Sequence, residues 1–193
     1  MDRNIVIAGV GGQGIITTAK ILAEAALIEG RNVLVAETHG LSQRGGSVVV
    51  HVRVGDVEAP LIPPGMGDLL IGLEAIEAAR YASLLAPGAS VVMNEDLQPP
   101  PLPRVKAPSL GDVLGSLKAA GLRVYSVNAV EEALKLGDAR SANTLLLGYT
   151  AGLGLLEGVA RPGGLEEAIA RVIRRSRTAV EAYRRGLELA SVH

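Results

Sequence analysis

Two glycine-bearing stretches carry the residue types best able to meet an anion or a strongly polar group. In the first, Gly9-Val10-Gly11-Gly12-Gln13-Gly14 follows the apolar run Ile5-Val6-Ile7-Ala8 and precedes a helical pattern that starts at Ile15. A strand, a glycine-rich turn and a helix in that order aim the N–H groups of a helix N-terminus at such a group. Gly9, Gly11 and Gly14 also fit the G-x-G-x-x-G spacing of dinucleotide-binding turns. Glu37 follows roughly 20 residues later, where those folds place a ribose-binding acid. A structural turn and a strand-end cap would use the same residues, so the spacing leaves both uses open.

The second stretch, Thr38-His39-Gly40-Leu41-Ser42-Gln43-Arg44-Gly45-Gly46, argues against a bound dinucleotide. After the acid a dinucleotide domain continues into a helix, whereas this chain enters a polar glycine turn and then a valine-rich strand. Two glycine loops that follow the first two parallel strands are expected side by side at the carboxyl end of the sheet, where open α/β sheets bind ligands. Arg44 offers planar donors to a phosphate or carboxylate of a ligand or a partner chain, or it holds its own loop. His39 has the chemistry of a general acid or base, but no serine–base–acid spacing accompanies it, and no catalytic residue is assigned. The ligand- or partner-facing set is therefore Gly9, Gly11, Gly12, Gln13, Gly14, His39, Ser42, Gln43, Arg44, Gly45 and Gly46.

Composition excludes several other chemistries. The chain has no cysteine, so it supplies neither thiolates for an ordinary iron–sulfur cluster nor a disulfide framework. His39, His51 and His193 are its only histidines, none at metal-ligand spacing from another, and no metal site is expected. A net charge of −1 and four tyrosines as the only aromatic residues supply neither an electrostatic groove nor a stacking platform for nucleic acid. Met1 to Asn4 lead straight into a strand pattern that breaks at Gly9, unlike a signal peptide; a soluble cytoplasmic protein is expected.

The elements that must position the two loops follow from periodicity. Residues 4–8 read as a buried strand, 14–29 as a helix with Ile15, Ala19, Leu22 and Ala26 on one face, and 32–37 as a second strand, together a parallel βαβ unit. A period of two, Val48, Val50, Val52 and Val54 against Ser47, Val49, His51 and Arg53, marks 47–54 as a strand, with 57–62 as a hairpin partner, which makes the sheet mixed. Strands are expected at 68–73, 90–94 and 123–127, and helices at 74–86, 109–120 and 128–137. Residues 98–108 contain five prolines and read as a surface loop inside a single domain of 193 residues. Residues 141–156 carry no charge and are shorter than the ~20 residues a membrane span needs. With Gly148 and Gly152 they read as a helix packed closely in the core or at a subunit contact. Arg161-Pro162-Gly163-Gly164 is expected to break the chain before one last helix over 165–189. The fold class is a three-layer α/β/α domain with a mixed, mostly parallel sheet and a Rossmann-like first unit.

The sequence resembles a known family. Gly9-Val-Gly-Gly-Gln-Gly followed by Glu37-Thr-His-Gly-Leu-Ser-Gln-Arg-Gly-Gly-Ser-Val is similar to the small β subunit of indolepyruvate:ferredoxin oxidoreductases, equivalent to the γ subunit or domain of 2-oxoacid:ferredoxin oxidoreductases. His51-Val-Arg-Val-Gly, Gly67-Asp-Leu-Leu-Ile-Gly-Leu-Glu and Leu136-Gly-Asp-Ala-Arg-Ser-Ala-Asn-Thr-Leu-Leu-Leu-Gly follow the same pattern, so the resemblance covers nearly the whole chain. It implies an accessory subunit, inactive alone, in an enzyme that converts arylpyruvate and coenzyme A to aryl-acetyl-coenzyme A and CO2 and passes electrons to ferredoxin. Thiamine diphosphate, magnesium and [4Fe–4S] clusters are then expected on a large α subunit, with no cofactor on this chain and no membrane or nucleic-acid partner. Members often carry an Asn in the last helix; here the corresponding region reads Thr178 to Gly186 without one, and no role is carried over to it. The alternatives are a γ subunit of another 2-oxoacid oxidoreductase and a stand-alone Rossmann-like NAD(P)-binding protein that uses Glu37.

Overall fold

The computed structural model describes residues 2–39, 45–98, 106–174 and 177–192, with His39 described by its backbone alone. Strands β1 (Arg3–Val10), β2 (Val33–His39), β3 (Ser47–Val54), β4 (Gly67–Gly72), β5 (Leu85–Asn94) and β6 (Arg123–Val127) form one sheet in the order β2-β3-β1-β4-β5-β6. Pairings from β1 through β4 and β5 to β6 are parallel, while β3 runs antiparallel to both its neighbours. The sheet is therefore mixed and mostly parallel, as expected.

Alternating side chains bury both faces. Ile5, Ile7, Val50, Val52, Leu69 and Ile71 point to one face, where they pack under α1 (Ile15–Ile28), α4 (Ala129–Lys135), α5 (Ala142–Gly152), α6 (Pro162–Val172) and α7 (Arg177–Ala190). Val6, Leu70, Val91 and Met93 point to the other, under α2 (Ala75–Arg80) and α3 (Leu110–Ala119). Several helix ends follow their sequence signals. Gly30, at φ 70°, donates to the Leu27 carbonyl while Arg31 donates to Ala26, which closes α1. Ser109 and Asp112 form a reciprocal capping box on α3, and the Asn128 side chain accepts the Glu131 amide at the start of α4.

Several expectations are corrected. β1 and β2 point the same way but are not neighbours, because β3 lies between them. That placement also removes the expected hairpin: β3 already has β2 on one side and β1 on the other, so residues 57–62 have no free edge to join. They form an irregular strap instead, held by Arg53, which donates to the Ala59 and Leu61 carbonyls, and by His51, whose Nδ1 accepts the Ile62 amide. The last helix is two helices. Pro162 occupies the first turn of α6, where its missing N–H costs nothing, so the Pro-Gly-Gly run opens a helix. Ile173 then turns extended, and the apolar residues of 165–189 divide between two partners: α6 packs on α1, and α7 packs on α5. The expected helix over 74–86 ends at Arg80 and gives way to a short 3-10 turn at Ala82–Leu84. Most of the expected proline-rich loop, residues 99–105, lies outside the described residues.

The uncharged stretch resolves in favour of the core. α5 crosses α7 at Gly148 and Gly186: a Cβ on Gly148 would overlap the Tyr183 carbonyl oxygen, and one on Gly186 would overlap that of Leu145. Tyr183 is fully buried there and donates its hydroxyl to the Pro162 carbonyl, while burial pushes its phenol pKa far up.

Candidate functional site

Gly9 ends the buried part of β1, and Gly14 opens α1 in the left-handed region at φ 82°, a conformation that a residue with a Cβ adopts only under strain. Between them Gln13 folds back on the turn. Its amide donates to the Val10 carbonyl, and its side-chain Oε1 accepts the Val10 amide at 2.8 Å. From beneath, the part-buried Asn143 of α5 donates to the Gln13 carbonyl at 2.7 Å. The first turn of α1 carries no acidic residue, and among the described residues no side chain caps it.

The second stretch meets the first, through β3 rather than β2. Gly46 leads antiparallel into β3, so the Gly11 amide donates to the Gly46 carbonyl at 2.8 Å, and the Gly45 amide reaches back to the Gly11 carbonyl at 3.4 Å. Of the sequence-derived set, Gly9, Gly11, Gly12, Gln13, Gly14, Gly45 and Gly46 are thus gathered at one end of the sheet. The His39 backbone lies across Val48 from Gly9, two strands over. Ser42, Gln43 and Arg44 lie outside the described residues.

Glu37 is displaced by the same strand insertion. It pairs with Val50, which pairs with Ile7, so Glu37 is level with the middle of β1 and two strand spacings, about 10 Å, from it. A ribose-binding acid belongs beside the glycine turn, at the end of the adjacent strand.

A cleft of about 430 Å³ opens beside the glycine turn, lined by Gln13, Thr17, Asn94, Asp96, Arg140 and Asn143 among others. It lies where the topology reverses: β1 sends α1 to one face of the sheet and β4 sends α2 to the other, which is where open α/β sheets bind ligands. Asp96 accepts from the side chains of Gln98 at 2.7 Å and Gln13 at 3.4 Å. Asn94 is buried, accepts the Ala129 amide and donates to the Leu73 carbonyl. Arg140 at the mouth pairs with Asp138 and holds that partly exposed carboxyl below its usual range. A smaller recess of about 310 Å³ lies against the same turn, lined by Ile16 and Val48 among others. A further cleft of about 450 Å³, near Glu29, Ala160 and Arg161, opens beyond the C-terminal end of α1, away from the converging amides. Asn94, Asp96 and Gln98 were missed from sequence because they lie at and just past the end of β5 without any motif spacing to mark them.

Fold and site together define an open α/β domain with a double glycine rim beside a polar crevice, and with the dinucleotide acid moved away from the turn. The pyruvate ferredoxin/flavodoxin oxidoreductase family model matches residues 4–189, and the chain belongs to that family. It is 48% identical over 155 residues to indolepyruvate oxidoreductase subunit IorB of Archaeoglobus fulgidus, covering 79% of this chain and 77% of that one. The subunit of the same name from Methanothermobacter thermautotrophicus is 39% identical over 157 residues, covering 78% and 79%. In three dimensions the chain is similar to the γ subunit of a keto/oxoacid ferredoxin oxidoreductase from Geobacter sulfurreducens, with a TM-score of 0.74, 23% identity and 99% of each chain covered.

Proposed function

We propose that this chain is the small β subunit of a cytoplasmic indolepyruvate or arylpyruvate:ferredoxin oxidoreductase, its residues 1–193 forming one γ-type domain. The observation that carries the reading is the Gly11–Gly46 bond, which joins two glycine segments into one rim beside the polar cleft. The indolepyruvate oxidoreductase subunits similar to it along most of their length supply the reaction class.

The chain's own donors do not suit the cofactors of that reaction. It contains no cysteine for a cluster, and among the described residues no three His, Asp or Glu side chains converge on a point where a metal would sit. Thiamine diphosphate, magnesium and [4Fe–4S] clusters are assigned to a large α subunit, and no chemical step is assigned to a residue here. No helix among the described residues is long and apolar enough to cross a membrane. The rim docks on the large subunit and helps enclose the thiamine, substrate or coenzyme A region, with Arg44 and the loop N–H groups as polar contacts. The isolated chain is then inactive.

Arg44→Ala in the assembled enzyme tests the active-site part of this reading. The expected outcome is a raised Michaelis constant for arylpyruvate or coenzyme A; unchanged activity and constants in an intact complex would overturn it. Faster turnover of pyruvate or a branched 2-oxoacid than of arylpyruvates would assign the chain to another 2-oxoacid oxidoreductase.

A further inference from the structure

Ser47 is the first residue of β3, directly after the Gly46 carbonyl that receives the Gly11 amide. Its hydroxyl lies 2.5 Å from Glu77 Oε2 and 2.8 Å from the Tyr81 hydroxyl. A serine has one proton to donate; given to the Glu77 carboxylate, it leaves Tyr81 as the donor to Ser47. Glu77 is only 6% exposed, and its carboxylate also receives Arg80 Nε, at 3.0 and 3.2 Å from its two oxygens. A buried carboxylate held by a guanidinium and aimed at a strand's first hydroxyl is a fixed anchor.

The same short helix reaches the other glycine segment. Glu74, fully buried, caps α2 by accepting the Glu77 amide and also accepts the Gln98 amide, while the Ala75 amide donates to the Asp96 carbonyl. Asp96 in turn accepts from Gln13, which holds the first turn. A ring of hydrogen bonds therefore runs from Gly11 to Gly46, Ser47, Glu77, along α2 to Glu74 and Asp96, and back through Gln13. Each glycine segment is clamped at two points, and α2 sets the distance between the clamps.

We propose that Glu77 is a positioning residue for the double glycine rim, acting through the Ser47 hydroxyl, with Tyr81 as its second support. Its significance for turnover rests on the reading of the rim given above; the positioning role itself does not. The bond is charge-assisted and largely shielded from water, so its loss frees the start of β3 locally while the sheet beneath stays closed.

Amide hydrogen exchange on the full chain tests the role directly. Ser47→Ala and Glu77→Ala are each expected to speed exchange of the Gly11 amide at least about tenfold, with the Ile7 amide in the middle of β1 unchanged. Ser47→Thr, which keeps the hydroxyl, is expected to retain slow exchange, and the double alanine variant to exchange no faster than the faster single one. Tyr81→Phe, which removes only the supporting hydroxyl, serves if the Glu77 variant does not fold, and is expected to speed Gly11 as well. Unchanged Gly11 exchange in these variants, or equal acceleration of Gly11 and Ile7, would overturn the proposal. In the assembled enzyme Glu77→Ala is expected to raise a Michaelis constant more than it lowers kcat. Accelerated Gly11 exchange with unaltered Michaelis constants leaves the positioning role standing and removes the rim reading instead.

Discussion

Asn143 donates its side-chain amide to the backbone carbonyl of Gln13 at 2.7 Å, across 130 residues of sequence. The glycine turn is thereby fastened to α5, which is locked against α7 where Gly148 meets Gly186. Under the proposed docking role this rigidity favours assembly, because less ordering remains to be done when the partner binds.

Gly14→Ala places a Cβ in the left-handed region and 3.0 Å from the Asn143 amide nitrogen. A loss of about 1–3 kcal/mol is expected in urea unfolding. Gly163→Ala is the control: this helical glycine has open space around it, and the expected change is neutral to a gain of about 1 kcal/mol.

Gly186→Ala drives a methyl group into the Leu145 carbonyl and toward the Tyr149 amide, both backbone groups that cannot swing aside. The expected loss exceeds about 3 kcal/mol, by far the larger of the two glycine effects, and thermal unfolding or recovery of soluble protein reads it.

His51 is buried, and desolvation lowers its pKa from the ordinary 6.5. Its Nδ1 must also stay unprotonated to accept the Ile62 amide. The unfolded chain therefore takes up a proton that the folded chain refuses. The stability tied to this group is fully present above about pH 6.5 and is lost as pH falls toward the folded-state pKa. Urea midpoints measured from pH 7.5 down to pH 5 are expected to fall more steeply in the native chain than in His51→Gln, which keeps an acceptor but does not titrate. Parallel slopes would remove His51 as the cause.

Equilibrium dialysis of the isolated chain against NADH is expected to show no appreciable binding, because β3 holds Glu37 about 10 Å from β1 and level with Ile7. Appreciable binding abolished by Glu37→Ala would restore the dinucleotide reading.

Periodicity made the strands, α1 and the capped helices legible, because each signal is local. Ser47–Val54 and Arg123–Val127 were readable to the residue, as were the helix starts at Ser109 and Asn128, whose side chains cap α3 and α4. What the chain's order concealed was adjacency. Nothing local to residues 47–54 says that they insert between β1 and β2, yet that one choice removes the hairpin, displaces Glu37 and brings Gly46 onto Gly11. The last helix misled for a similar reason: its apolar stripe is continuous in sequence but serves α1 in one half and α5 in the other. In the candidate site the glycine residues were found by spacing. Asp96, Glu74 and Glu77 converge only through the sheet order and carry no spacing signal of their own.

Reconstitution with the large subunit tests the central claim most directly. The chain is expected to co-purify with a larger polypeptide containing thiamine diphosphate and iron. Neither alone should reduce ferredoxin with arylpyruvate and coenzyme A, and the mixture should form aryl-acetyl-coenzyme A. Full activity of the larger polypeptide without this chain, or a partner lacking both thiamine and iron, would contradict the account.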